Sequence, residues 1–324
     1  MEKQFCVTAL GELLIDFTDS GLSGQGNSLF EANPGGAPCN VLAMLNQLGH
    51  KTAFIGKVGD DIFGHRLKDV LEEVGINTRN LLMDKDVRTT LAFVANDERG
   101  ERDFSFYRNP GADMMLCEEE IDEELIKTSH IFHFGTLSMT HENVRNATKK
   151  ALAIAKEHKV FISFDPNLRE PLWNNLDEAK EQVAFGLSYC DVLKISDNEI
   201  VWFTGENDYT KAVEIIHQRY DIPLILVSMG KEGSRAYYKD FYVEVPAFVR
   251  EDTIDTTGAG DTFGGCCLHF ILEMGIKNVL SGTLTKEQLE EMLIFANKAA
   301  SIVTARKGAL CVMPCEDEIH GTFK

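Results

Sequence analysis

Positive charge is scarce in this sequence of 324 residues: 32 Lys and Arg stand against 51 Asp and Glu, a formal net charge of −19 with histidine neutral. Nucleic acids and anionic membranes need clustered Lys and Arg to release counterions, so the balance argues against both as partners. A small anion held in a local site is still allowed. No apolar run is long enough to span a bilayer: Thr262 to Ile276 is interrupted by His269 and Glu273 and falls short of the roughly 20 residues required. A basic segment followed by an apolar core is missing at the start, so Met1 to Leu10 is expected to be a first strand and the cytosol the compartment. Repeats, low-complexity segments and linkers are absent, and no Gly-Lys is followed by Ser or Thr, which removes the P-loop. Cysteines at positions 6, 39, 117, 190, 266, 267, 311 and 315 are scattered, and the CxxxC of Cys311 and Cys315 has no second pair. Reduced, mostly buried thiols are expected rather than a zinc site.

What is present is alternation. Phe5 to Leu10, Thr52 to Val58, His130 to Thr136, Val160 to Asp165, Asp191 to Ile195 and Leu224 to Met229 read as buried strands. Helical patterns lie between them; Glu142 to His158 aligns Val144, Ala147, Ala151, Ile154 and His158 as one stripe. This repetition implies an α/β class with a mainly parallel, doubly wound sheet covered by helices on both faces, residues 1–324 forming one domain. Ligands of such sheets sit outside the carboxyl ends of the strands. Two regions break the rhythm. Thr89 to Ala95 and Asp103 to Tyr107 flank turn residues Asn96 to Gly100, and Leu13 to Phe30 reads as a second antiparallel pair. Together, roughly 13–33 and 88–110, they form either a small β lid over the site or an ordinary surface excursion. The acidic run Glu118 to Glu124 is expected to open a short helix, its carboxylates at the positive end of the dipole.

Chemistry concentrates in Asp255-Thr256-Thr257-Gly258-Ala259-Gly260-Asp261. Small residues entering a buried helix leave backbone N–H groups outward, a site for developing negative charge. Asp261 in that turn could accept a proton from a substrate hydroxyl. It could equally be an N-cap. A dinucleotide turn is set aside, because Glu251, Asp252 and Asp255 precede the glycines where a strand should, and the region about 20 residues beyond Gly260 is Asn278 to Ser281, without an acid. A second constellation joins Asp16, at the end of an apolar strand, to Asn33-Pro34-Gly35-Gly36-Ala37-Pro38-Cys39-Asn40, ahead of a helix from Val41 to Leu48. Paired glycines admit a ligand close to the backbone, and Asp16 and Asn40 offer acceptors and donors to a polyol. Standing alone, the segment would read as a glycine turn with a capping Asn.

With Gly35-Gly36-Ala37-Pro38-x-Asn40 and the Asp255 to Asp261 run in this order, the chain resembles the ribokinase (PfkB) family of carbohydrate kinases over essentially its full length. Phe104 to Asp113 and Phe164-Asp165-Pro166-Asn167-Leu168-Arg169 bring it nearest the fructokinase-like branch. The resemblance implies a ribokinase-like domain with a β lid, often a dimer joined through the lids, moving the γ-phosphate of ATP to a sugar hydroxymethyl group. Fructose is the first expectation. 2-Keto-3-deoxygluconate or a related sugar acid and a nucleoside are the alternatives, and a catalytically idle sugar-binding regulator is the alternative of another class. Carried over, Asp261 is the base and the amides of Gly258, Ala259 and Gly260 the anion hole. Asp16, Gly35, Gly36 and Asn40 hold the sugar, with Arg108 and Arg169 as further contacts to sugar or phosphate. Ser228, Gly230 and Gly233 match the nucleotide loop and Asn297 the adenine end; apart from the resemblance, Lys194 is expected to help hold the ATP anion in this acidic chain. Asp255 and Thr257, with main-chain oxygens around Val303, Arg306 and Gly308, match a monovalent-cation site for K⁺. Glu199 matches the residue that orders Mg²⁺-bound water, but Ser196 stands where the family carries asparagine.

Overall fold

A computed structural model describes residues 2–96 and 102–323. In chain order the strands are β1 Phe5–Leu10, β2 Leu14–Leu22, β3 Ser28–Gly35, β4 Thr52–Gly59, β5 Asn77–Asp84, β6 Leu91–Asn96 and β7 Arg102–Tyr107. They continue as β8 Ser129–Gly135, β9 Phe161–Asp165, β10 Val192–Ser196, β11 Leu224–Ser228, β12 Ser234–Tyr238 and β13 Phe241–Val245. Nine form one sheet in the order β13-β12-β11-β10-β9-β8-β1-β4-β5. Neighbours from β11 to β5 run parallel, and β12 and β13 close one edge antiparallel.

Alternation along each strand feeds a core on each face. Val7 and Ala9 pack with helices Ala37–Gln47 and Ala259–Met274, whereas Leu10, Phe132 and Phe134 point the other way, toward helix Glu142–Glu157. β4 is buried at every position, as a strand covered on both faces must be. β1 lies at the sheet's point of reversal: the chain builds outward through β4 and β5, then returns to the opposite side of β1 with β8. The crevice of such a sheet opens at the carboxyl ends there.

The second sheet has the order β3-β2-β6-β7. Its antiparallel pairs β2–β3 and β6–β7 are those expected from the sequence, and a parallel β2–β6 pairing joins them. Phe17 stacks on Phe93 at 4.8 Å and meets the edge of Phe63 at 5.7 Å, which fastens this sheet to helix Ile62–Glu73. Beyond Asn96, the turn expected at Asn96 to Gly100 lies outside the described residues.

Two expectations need correction, and a third is met in part. The helix expected from Val41 begins at Ala37, because Gly36 turns the chain at φ 130° and Pro38 suits a first turn. His158 does not join the apolar stripe: the helix ends at Glu157, and His158 caps it, exposed. The acidic run divides into a 3₁₀ turn, Glu118–Glu120, and a short helix, Glu123–Lys127, capped by Asp122. Among the described residues, no helix is long and apolar enough to cross a membrane.

Candidate active site

The carboxyl ends of β1, β8 and β9 and the start of helix Ala259–Met274 surround a cavity of about 410 Å³, whose wall includes Asp16, Asn40, Arg169, Lys194, Gly258 and Asp261. The two motifs, more than 200 residues apart in sequence, are joined directly: Asn40 Nδ2 donates to Asp261 Oδ2 at 2.8 Å.

Glycine makes the turn before that helix possible. Gly258 lies at φ 76°, and a Cβ there would stand 2.4 Å from Ala309 Cβ. Its carbonyl accepts from Thr262 N–H and Thr262 Oγ1, both at 2.8 Å, which starts the helix. Gly258 is the cap and Asp261 the third helical residue, so the N-cap reading of Asp261 is set aside. Asp261 is 8% exposed. Burial raises its pKa, opposed by the Asn40 hydrogen bond and by the charges of Lys194 and Arg169. Of the three amides expected to form an anion hole, that of Ala259 donates to Thr256 O at 3.3 Å, while those of Gly258 and Gly260 have no acceptor among the described residues.

At the opposite wall, a Cβ on Gly35 would come within 2.3 Å of Asp16 Oδ2, and one on Gly36 within 2.4 Å of Glu12 O. Both glycines are therefore needed to bring the β3 backbone against Asp16 and Glu12. Glu12 is a site residue that sequence reasoning missed. It is 4% exposed, and Ala37 N–H donates to its Oε1 at 2.8 Å. Burial pushes its pKa up to about 7. Its signal was present: an acid two residues after the apolar strand β1, at the sheet's reversal.

Asp165, also missed as a site residue, ends β9. Lys194 Nζ donates to its Oδ2 at 2.9 Å, while Oδ1 is buried without a hydrogen-bond partner. Burial lifts the Asp165 pKa to about 6 against the pull of Lys194. Burial works to lower the Lys194 pKa, but Asp165, Glu199 and Asp261 outweigh it and keep the ammonium charged. Ser196 has its own function. Its N–H and Oγ donate to Glu199 Oε2 at 2.8 and 2.7 Å, and Leu168 N–H donates to Oε1 at 2.6 Å, so Glu199 is firmly oriented without the family's asparagine.

Two residues expected as contacts have partners within the protein. Arg108 is 7% exposed; it pairs with Asp113 at 2.7 Å and donates to Thr140 Oγ1 at 2.8 Å and Leu137 O at 3.0 Å. With these donors engaged it fastens the end of β7 to the turn that follows β8. Asn297 accepts from Ser234 Oγ at 2.9 Å and donates to Val245 O and Pro246 O at 3.1 and 3.2 Å. Its side chain ties helix Lys286–Val303 to the β12–β13 edge. Ser228 pairs in register with Ser196, and the following turn takes φ 53° at Gly230 and 115° at Gly233, where a Cβ would stand 2.1 Å from Val245 O.

Asp255 and the 303–308 segment come together as well. Ile254 and Asp255 N–H groups donate to Thr304 O at 2.8 and 3.1 Å. Asp255 Oδ1 accepts from Thr257 N–H at 2.8 Å and Oδ2 from Gly308 N–H at 3.4 Å, while Val303 O accepts from Arg306 N–H at 2.9 Å.

Comparison with known proteins gives concordant matches. A model described as pfkB family carbohydrate kinase matches residues 6–314. Fructokinase-2 of Solanum lycopersicum is 41% identical over 318 residues, covering 96% of this chain and 94% of the relative. The crystal structure of fructokinase with bound ATP from Xylella fastidiosa superposes with a TM-score of 0.88 at 30% identity, covering 97% of each chain. A fructokinase double mutant from Vibrio cholerae, in a fructose, ADP and potassium ion bound form, gives 0.85 at 27% identity over the full length of both chains.

Proposed function

The chain belongs to the pfkB family of carbohydrate kinases, and from that premise we propose that it transfers the γ-phosphate of ATP to the hydroxymethyl group of D-fructose, giving fructose 6-phosphate. One observation carries the reading: a buried carboxylate, Asp261, held on one oxygen by Asn40 and lining the cavity beside the N–H groups of Gly258 and Gly260, which meet no acceptor among the described residues.

The sugar lies between Asp16, Gly35-Gly36 and Asn40, its hydroxymethyl oxygen at Asp261. Asp261 takes the hydroxyl proton as the loose phosphoryl transition state forms, and the amides with Arg169 and Lys194 stabilise charge on the transferring oxygens. Asp165 and Glu199 suit Mg²⁺: both are hard oxygen donors, and the buried Asp165 Oδ1 lacks a partner. When bound, the ion neutralises phosphate charge. The Asp255 carboxylate, Thr257 and the main-chain oxygens of Val303, Arg306 and Gly308 suit K⁺ as an activator. The small sheet serves as a lid that excludes water. Its exposed Leu22, Leu29, Phe30 and Tyr107 support a homodimer joined through it, in the cytosol.

Fructose is favoured over a sugar acid on two grounds: Arg108 is engaged with Asp113, and Glu12 adds a carboxyl to the wall that would meet a substrate carboxylate. The test is ADP release with fructose, ribose, keto-deoxygluconate and adenosine, with and without K⁺. Turnover with fructose at the highest kcat/KM is expected. A higher value for another acceptor overturns the substrate, and no sugar-dependent ADP release across the panel overturns the kinase reading in favour of an idle binder.

A further inference from the structure

The helices that carry Asn40 and Asp261 meet again behind the cavity. Gly265 allows the approach: a Cβ there would stand 2.8 Å from Met44 Cβ. Beyond that contact, His50 follows the end of helix Ala37–Gln47, and His269 and Glu273 lie one turn apart on helix Ala259–Met274. One ligand atom from each of the three falls within 4.8 Å of the others. His50 Nε2 and His269 Nδ1 are 2.7 Å apart, sharing a hydrogen bond between half-buried rings. His269 is about 12 Å along the helix from Asp261 and Glu273 about 18 Å, at 1.5 Å per residue, so neither has a part in the phosphoryl chemistry.

We propose that His50, His269 and Glu273 bind one divalent transition-metal ion of the Zn²⁺ type, with water as fourth ligand, clamping the two helices at the end opposite their catalytic residues. Two imidazoles and a carboxylate are a donor set that zinc accepts with one position left open. Nitrogen donors select zinc, cobalt, nickel or copper over magnesium, so this ion and the one that accompanies ATP do not compete. Two nitrogens on one tetrahedral ion stand about 3.3 Å apart, so the rings need to separate by only about 0.6 Å from their present contact. Burial first, and for His50 the neighbouring ring second, hold both imidazoles below their ordinary pKa, which leaves lone pairs at neutral pH. Glu273 is exposed and gives the ion access from solvent.

The test titrates chelator-stripped full-length protein with Zn²⁺ by calorimetry and with Co²⁺ by visible absorbance. One ion per chain is expected, with the intense visible bands of tetrahedral Co²⁺ and a Tm rise of roughly 5 °C at a hundredfold excess over Kd. Loss of an outer-shell partner already costs about 10–100-fold in metal affinity, so Glu273→Gln, an exposed change that keeps the fold, should weaken binding at least about tenfold. His269→Ala should abolish it, and stripped variants should keep wild-type kinase activity with Mg²⁺. Binding that survives both substitutions, or that disappears with Cys311→Ser/Cys315→Ser instead, overturns the site, as does the absence of any Zn²⁺-dependent shift.

Discussion

At the end of the cleft proposed for the sugar, buried polar side chains are left partly unanswered; at the end proposed for the nucleotide, the protein answers them itself. Among the described residues, Asn40 Oδ1 is buried without a partner, and burial holds Glu12 at about 7, well above ordinary carboxylates. Asn297, Ser196 and Glu199, by contrast, have their hydrogen bonds completed by neighbouring strands and helices. A buried acceptor without a partner costs about 1–3 kcal/mol, so such atoms persist where a ligand completes them. The difference fits the two substrates. On the proposed function, a sugar with directional hydroxyls would be read by side chains, and a nucleotide end built from glycine turns by backbone and shape.

The strongest way to break this comparison is Asp261→Asn. The amide keeps the size of the side chain and an oxygen for Asn40 but cannot take a proton. A fall in kcat of about 10²–10⁴ is expected in the ADP-release assay, with ATP affinity by calorimetry nearly unchanged. The wild-type kcat/KM should decline as pH falls through the Asp261 pKa, which burial places above the usual carboxylate range, because the base must be ionised. Substantial turnover in the variant would remove Asp261 as the base.

Glu12→Gln probes the same end through stability. The Glu12 pKa rises from 4.5 unfolded to about 7 folded, so the native state binds that proton more tightly. The contribution is fully present below pH 4.5 and is lost as pH rises through 7. At pH 8 the fold carries a buried carboxylate costing up to about 3 kcal/mol, which the glutamine relieves while keeping an oxygen for Ala37 N–H. Denaturant unfolding should find the variant more stable than wild type at pH 8 and the gap closing toward pH 5. An equal gap at both would show that Glu12 does not titrate in this range.

Legibility in the sequence followed burial. Central strands covered on both faces are continuous apolar runs, so β1, β4 and β8 to β11 could be read within a residue or two. Edge strands β5 and β13, and β12 beside the edge, were missed because polar residues interrupt them, as in Asn77-Thr78-Arg79-Asn80. Glycine motifs disclosed the site, since only glycine tolerates the contacts at Gly36 and Gly258. Single polar residues were ambiguous: Glu12 looked like any acid after a strand, and Arg108 like a ligand contact, because sequence spacing does not show that Asp113, in the short 3₁₀ turn Ala112–Met115, is its partner.

The smallest expected effect tests the nucleotide end. Asn297→Ala leaves the buried Ser234 hydroxyl and the Val245 carbonyl without a side-chain partner, at a cost of about 1–3 kcal/mol in stability. Thermal unfolding should register that loss, while KM for ATP should change no more than KM for fructose, because the amide acts on the β12–β13 edge rather than on the nucleotide. A variant of wild-type stability with a selectively raised KM for ATP would return Asn297 to the adenine end. The contrast would then fail, since a buried amide with every hydrogen bond satisfied inside the protein would have been reading the nucleotide after all.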